Sequence, residues 1–213
     1  MANEAEDEHV DIVRRGYDAL SARYRADDAG AGQYGPWIAE LLATLSGESR
    51  VLDLGCGCGV PVSRDLSARG HVVTGVDVSG VQIERARRLV PGGTFIRADA
   101  TRLRLPPKSY DAVVALYSII HIPLTAQPLL LRAIADWLVL DGLLVLSAGW
   151  HAWTGAQTDW LGGDTPMRWS HADAATYRRW LTEAGFQVLR EEFVPEGDSG
   201  HSLFWARRTI SKR

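Results

Sequence analysis

The sequence predicts an α/β fold: a seven-stranded, mostly parallel sheet with helices on both faces, the last strand antiparallel, and a helical cap at the N-terminus. Three observations predict it. An apolar strand over 50–54 runs into a glycine-rich turn and an amphipathic stretch over 60–69, the first half of a βαβ unit. Apolar strands and amphipathic helices then alternate as far as residue 148. The chain closes on two strand-like runs, Phe186 to Val194 and His201 to Arg207, which the turn PEGDSG joins as an antiparallel hairpin.

Each element has its own warrant. Residues 1–9 are acidic and polar and are expected to fray. From Val10 to Ala26 apolar residues recur as Val10, Ile12, Val13, Tyr17, Leu20 and Tyr24, close to a helical period. DDAGAGQYG over 27–35 is a small-residue linker expected to be mobile, and Pro36 suits the first turn of a helix to about Leu45. Residues 10–46 thus form the cap. After the glycine turn, Val72 to Val76 is a second strand that ends in Asp77. Ser79 is placed to N-cap a helix carrying Val81, Ile83, Ala86 and Leu89, which Pro91-Gly92-Gly93 ends. Its Arg85, Arg87 and Arg88 are expected on a solvated face. Thr94 to Arg97 is a third strand running into Asp99-Ala100.

Tyr110 to Leu116 is continuously apolar, which suits a parallel strand covered on both faces. Thr125 to Leu138 reads as a helix with Pro128 in its first turn, and Asp141-Gly142 turns the chain into a fifth strand, Leu143 to Ala148. Residues 149–170 show no clean period, yet they hold Trp150, Trp153, Trp160 and Trp169 of the eight tryptophans, with Gly155, Gly162 and Gly163 as hinges. The segment reads as an aromatic-rich lid loop beside the site, the alternative being a satellite core. Ser170 with Asp173 makes a capping box for a helix through Trp180 to Ala184, closed by Gly185.

Bulk properties bound the function. At 213 residues the chain, 1–213, is expected to form one domain. A net charge of −3 and a pI near 6.1 give no electrostatic footprint for nucleic acid. No apolar run approaches the ~20 residues of a membrane span, and MANEAEDEHV lacks the features of a secretory signal, so a cytoplasmic location is expected. Both cysteines, Cys56 and Cys58, lie inside the glycine loop, too close for an unstrained disulfide and too few for structural zinc, so no metal is expected. A monomer or homodimer acting on a small molecule is expected.

The glycine loop carries the chemistry. Glycines let the backbone turn with positive φ and approach a ligand closely, and the following helix N-terminus points free N–H groups at it. Asp77, at the end of the second strand, is placed to accept from two ribose hydroxyls. The dinucleotide spacing Gly-x-Gly-x-x-Gly fails at its third glycine, where Val60 stands. What stands instead is Asp53-x-Gly55-x-Gly57-x-Gly59. A carboxylate there would repel a pyrophosphate but suits the ammonium end of S-adenosylmethionine, which has no phosphate.

VLDLGCGCG followed by VTGVDVS resembles the class I S-adenosylmethionine-dependent methyltransferases of the small-molecule type, across roughly residues 10–208. The resemblance implies a Rossmann-like sheet and S-adenosylmethionine as cofactor, with S-adenosylhomocysteine as product. It implies that Asp53, Gly55, Cys56, Gly57 and Gly59 hold the methionine end, Asp77 and Val78 the ribose, and Asp99 and Ala100 the adenine. Leu116 and Tyr117 border the donor from the fourth strand. YDALSARYR resembles the helix that closes over the cofactor in such enzymes, so Tyr17 is assigned to the donor and Tyr24 to the acceptor, with packing as their alternative role. Trp150, Trp153 and Trp160 are assigned to the acceptor.

The Asn-or-Asp, Pro-Pro, aromatic motif of DNA amino-methyltransferases is absent after the fourth strand, where Tyr117, Ser118, Ile119 and Ile120 stand. The reading is transfer of a methyl group to O, N or S of a small aromatic or apolar metabolite. Two alternatives are a nicotinamide oxidoreductase on a Rossmann fold and a non-catalytic S-adenosylmethionine-binding protein. Of the six histidines, His121 and His151 follow the fourth and fifth strands at the carboxyl edge. His121 is expected to be the general base, or to orient the acceptor, with His151 next. His9 falls in the frayed end, His71 at the far edge and His171 in the first turn of a helix, while His201, at the start of the last strand, stays open as a candidate base.

Overall fold

The computed structural model describes residues 2–209; residue 1 and residues 210–213 of the expected domain lie outside the described residues. The chain runs as α1 (Ala2–Tyr24), α2 (Tyr34–Thr44), β1 (Arg50–Leu54), α3 (Val62–Ala68), β2 (Val72–Asp77), α4 (Gly80–Leu89), β3 (Thr94–Arg97), β4 (Tyr110–Ala115), α5 (Gln127–Trp137), β5 (Leu138–Gly149), β6 (Trp153–Gln157), β7 (Met167–His171), α6 (Ala174–Glu183), β8 (Phe186–Glu196) and β9 (Ser199–Arg208). The main sheet has seven strands in the order β3-β2-β1-β4-β5-β9-β8. Pairings from β3 to β5 are parallel, and β9 runs antiparallel to both β5 and β8.

The side-chain alternation of the central strands builds a core on each face. Leu52, Leu54, Val113, Leu144, Leu146 and Phe204 point toward α5 and α6. Val51, Ala112, Val114, Val145 and Leu203 point to the other face, toward α2 and α3. Asp53 is on that second face, which is why Ser63 of α3 can reach it: Ser63 Oγ donates to Asp53 Oδ2 at 2.6 Å. The chain moves outward from β1 to β3 and returns to β4 beside β1. That reversal opens a crevice at the carboxyl ends of β1 and β4, where ligands bind in such sheets.

Several expectations need correction. α1 begins at Ala2 rather than near Val10. Alanine and glutamate in its first turns favour helix and suit its positive end, so a polar segment without an apolar period still extends it. His9 is accordingly buried, with Nε2 donating to the His121 carbonyl at 3.0 Å. Asp141-Gly142 does not separate a helix from a strand: β5 already starts at Leu138, and Asp141 (φ 63°) sits at a register irregularity inside it.

Segment 149–170 is not a periodless loop. β6 and β7 pair as an antiparallel hairpin, Trp153 opposite His171 through Gln157 opposite Met167, and β7 packs against α1. Five-residue strands give too little alternation to be read when one face is aromatic and the other polar. His171 is therefore in a strand, and the N-cap of α6 is Asp173, which accepts from Thr176 N at 2.8 Å, not Ser170. The arginines of α4 are not simply solvated. Arg85 donates to Asp27 Oδ1 and to Ser21 Oγ, both at 2.6 Å, and Arg88 reaches Asp27 Oδ2 at 2.7 Å. They fasten α4 to the end of α1 and the linker behind it.

Candidate active site

The crevice holds three adjoining chambers. The first lies under α1 and is lined by Tyr17, Gly55, Gly57, Asp77, Val78, Asp99, Ala100, Leu116, Tyr117 and Ser118, with Val10, Val13, Tyr24 and His121 among the covering residues. The second lies beneath the glycine turn and is lined by Asp53, Cys56, Cys58, Tyr24, Arg25 and Tyr34 as well as Gly55 and Gly57. The third is walled by Tyr17, Tyr24, Tyr34, Tyr117, Trp160 and Trp169, with Arg25, Gln33, His121, Glu196 and His201 as its polar groups. Tyr24 borders all three.

Local chemistry fixes the first chamber. Gly55 has φ 78°, and a Cβ there would run into the Ser118 side chain, so only glycine lets β1 and β4 end this close together. Asp77 Oδ2 accepts from Gly57 N and Oδ1 from Ser79 N, each at 2.9 Å. These bonds aim the carboxylate into the chamber and leave it lone pairs for two further donors. Burial nevertheless pushes its pKa up to about 6. Burial also pushes Asp53 up to about 7, against the Ser63 hydrogen bond that pulls it down.

Asp99 Oδ1 accepts from Thr101 N at 2.9 Å and Thr101 Oγ1 at 2.8 Å, so it caps its own turn while lining the chamber. The Ser118 hydroxyl is buried without a partner in the protein, as is Nε2 of Gln82, next to Gly57. Carboxylates at both ends, a Cβ-free cradle and orphaned polar atoms fit a ligand with an ammonium, a ribose and no phosphate.

The second ends of the strands shape the third chamber. Tyr117 has φ 55°, a strained conformation for a residue with a Cβ, and is held there by a 2.5 Å bond from its N–H to Ser147 Oγ. Its ring meets Tyr34 at 5.8 Å and His201 at 5.1 Å, and its hydroxyl accepts from Gln33 Nε2 at 3.1 Å. Trp160 packs on Tyr17 at 5.1 Å and on Tyr24 at 5.7 Å.

His121 differs from the expected free base. Its Nδ1 lies 2.8 Å from the Arg168 carbonyl, which only accepts, so Nδ1 carries the proton. Nε2 therefore accepts the Tyr17 hydroxyl at 3.0 Å. Burial lowers the His121 pKa to about 4. With both nitrogens committed, the ring holds Tyr17 in place; the expectation of a base titrating near neutrality at this residue is corrected. His151 is exposed, outside the three chambers, and offers its carbonyl to His171 Nδ1 at 2.9 Å.

Most residues singled out in the sequence converge here. Tyr17, Gly55, Gly57, Asp77, Val78, Asp99, Ala100, Leu116 and Tyr117 share the first chamber. Asp53 and Cys56 lie in the second, and Tyr24 and Trp160 in the third. Four do not converge, among them His151, which is exposed. Gly59 (φ 78°) faces the packing of α4, where a Cβ would meet Val90 Cγ2 at 3.1 Å. Trp150 packs on Phe193 at 4.9 Å, and Trp153 is half-exposed against Trp169 at 5.7 Å. The sequence reading missed Tyr34, Trp169, Arg25 and Glu196. Trp169 was visible in the tryptophan cluster, but only the hairpin register says which tryptophans turn inward. No group of three or more His, Cys, Asp or Glu side chains arranged to hold a metal occurs among the described residues.

Comparison with known proteins agrees with this geometry. A family model described as a methyltransferase domain matches residues 23–191. The chain is 38% identical over 96 residues to 27-O-demethylrifamycin SV methyltransferase of Amycolatopsis mediterranei, a stretch that is 40% of this chain and 34% of that protein. It is 32% identical over 80 residues to sterol 24-C-methyltransferase of Aspergillus fumigatus, 35% of this chain and 21% of that protein. The matched stretch thus spans about a third of the first relative and about a fifth of the second. Among solved structures, an S-adenosylmethionine-dependent methyltransferase of Mesorhizobium loti is 25% identical with a TM-score of 0.68, covering 86% of this chain and 100% of that one. The 1,6-didemethyltoxoflavin-N1-methyltransferase of Burkholderia thailandensis shares the fold at 21% identity and a TM-score of 0.75, covering 96% of this chain and 91% of that one.

Proposed function

Because the chain belongs to the class I S-adenosylmethionine-dependent methyltransferases, we propose that it transfers the donor's methyl group to O, N or S of a small aromatic or apolar metabolite. S-adenosylmethionine is the cofactor, and when bound it supplies a methyl group on a positively charged sulfur. The observation that carries the acceptor half of the reading is the aromatic third chamber, which adjoins the first across Tyr17, Tyr24 and Tyr117.

The residues divide the work by their chemistry. Asp77 takes the ribose hydroxyls on the lone pairs that Gly57 and Ser79 leave free. Asp53 faces the ammonium in the second chamber. Asp99 and Ala100 border the adenine. Positive charge leaves sulfur during methyl transfer, so added protein charge there gives little. The protein contributes alignment and exclusion of water, which is what a chamber closed by α1 and walled with aromatic rings does. Tyr17, anchored by His121, stands between donor and acceptor. Trp160 forms a wall of the acceptor chamber, and the 149–170 segment serves as its cover.

Calorimetric titration with S-adenosylhomocysteine and with NAD tests the donor half: tight binding of the first and none of the second is expected, and the reverse would overturn the reading. Release of S-adenosylhomocysteine with members of a panel of phenols, heteroaromatic amines and thiols tests the acceptor half. Silence across all three classes would leave a binding protein without transferase activity.

A further inference from the structure

We propose that His201, oriented by Glu196, is the general base of this site and that its acceptor is an aryl hydroxyl; the proposal rests on the methyl-transfer reading above. The β8–β9 hairpin ends at the carboxyl edge of the sheet, because His201 pairs with Gly149 at the end of β5. Glu196 and His201 both line the acceptor chamber. His201 Nε2 lies 3.0 Å from Glu196 Oε2. A carboxylate accepts from that nitrogen, so in the neutral ring the lone pair is on Nδ1. That nitrogen is buried and has no partner in the protein.

A buried polar atom left without a partner is disfavoured, and the side chain that carries this one lines the acceptor chamber. His201 is set apart from its neighbours by this free nitrogen. His121 also lines the chamber, but both of its nitrogens are held. The groups facing His201 are Glu196 from β8, the Tyr117 ring at 5.1 Å and His171 of β7 at 6.4 Å. Arg25, across the chamber, lies over the Tyr34 ring with 4.8 Å from its guanidinium carbon to the ring centroid.

A base held by a carboxylate serves an acceptor that must lose a proton to react. A neutral amine attacks with its own lone pair and needs none beforehand, whereas a phenol is a weak nucleophile until its proton leaves. The walls of tyrosine and tryptophan fit a flat ring. The phenol oxygen forms its bond to the methyl carbon, the carbon–sulfur bond breaks with its electron pair remaining on sulfur, and the phenol proton passes to His201 Nδ1. The imidazolium that results is stabilised by Glu196.

The test uses the intact protein saturated with S-adenosylhomocysteine and 4-nitrophenol as probe, whose ionised form absorbs in the visible. The bound probe is expected to ionise about one pH unit lower than free, a tenfold change. Glu196→Gln should shrink that shift and His201→Asn abolish it, with calorimetric affinity for S-adenosylhomocysteine unchanged in both. Glu196→Gln, on an exposed side chain, decides the matter alone if His201→Asn fails to fold. An equal shift in both variants overturns the proposal. So does tighter binding of 4-nitroaniline, or no binding of the phenol by a protein that holds S-adenosylhomocysteine. Failure to bind S-adenosylhomocysteine at all overturns the donor reading and this proposal with it.

Discussion

The Tyr17 hydroxyl donates to His121 Nε2 across 3.0 Å, joining the helix that covers the donor chamber to the turn that follows β4. The opposite ring nitrogen is held by the Arg168 carbonyl of β7. One imidazole thus ties together three elements that are distant in sequence. Asp18, one residue on, reinforces the closure by accepting from Ser79 Oγ at 2.6 Å.

Tyr17→Phe should cost about 1–3 kcal/mol of stability, because it leaves the buried His121 nitrogen without its donor. Urea denaturation checks this, and S-adenosylhomocysteine should dissociate faster from the variant. The His121 ring also sets a pH effect. Its pKa is lowered by burial to about 4 from 6.5. Between those values only the unfolded chain takes up the proton, so this group destabilises the fold as pH falls from 6.5 to 4. His121→Ala should flatten that acid limb and leave any ascending limb of turnover near neutrality in place.

Asp77→Ala should abolish most of the stabilisation by the donor. A ligand at ~100 times its dissociation constant adds roughly 2.7 kcal/mol to a protein that binds it. Thermal unfolding with and without S-adenosylhomocysteine reads this directly. An undiminished shift in the variant would overturn the ribose assignment.

Asp53→Asn should stabilise the ligand-free protein above neutral pH. Burial raises the Asp53 pKa from 3.8 to about 7. As pH rises through that window the unfolded chain releases the proton first, so the carboxyl disfavours folding increasingly up to pH ~7. The asparagine removes this slope. The wild type should gain S-adenosylhomocysteine affinity across the same range, because only the carboxylate attracts the ammonium, and the asparagine should remove that gain. Paired calorimetry and thermal scans at pH 5 and 8 test both halves.

Trp160→Ala should weaken acceptor use far more than donor binding, because the ring is 8% exposed and packs on both Tyr17 and Tyr24. Removing a buried tryptophan costs about 3–5 kcal/mol, so activity is compared at a temperature where the variant stays folded. Hydrogen exchange should slow over 158–166 when donor and acceptor are both present. Equal protection with and without them would leave the hairpin a packing element.

The sequence by itself determined the frame of this protein. β1, the glycine turn and β2 are local: an apolar run long enough for one strand, three glycines and an acid at the strand end leave little choice of structure or of ligand. The same holds for Ser79 as the cap of α4, which accepts from Gln82 N at 3.1 Å. Capping and turn chemistry act over a few residues, so a linear reading sees them.

The tertiary structure alone decided which side chains meet. Nothing near His121 in sequence reveals that Tyr17 and Arg168 will occupy its two nitrogens. Trp153 and Trp160 are equivalent in composition, yet β6 leaves one half-exposed, and the turn between β6 and β7 lays the other onto α1. Glu196 and His201 are joined by a turn that the sequence showed, but their place beside the acceptor chamber depends on β9 pairing antiparallel with β5. The physical reason is common to all three. A side chain's protonation, exposure and partners follow from burial and from contacts between segments far apart in the chain. Those are fixed only when the sheet closes its order and α1 settles across its carboxyl edge.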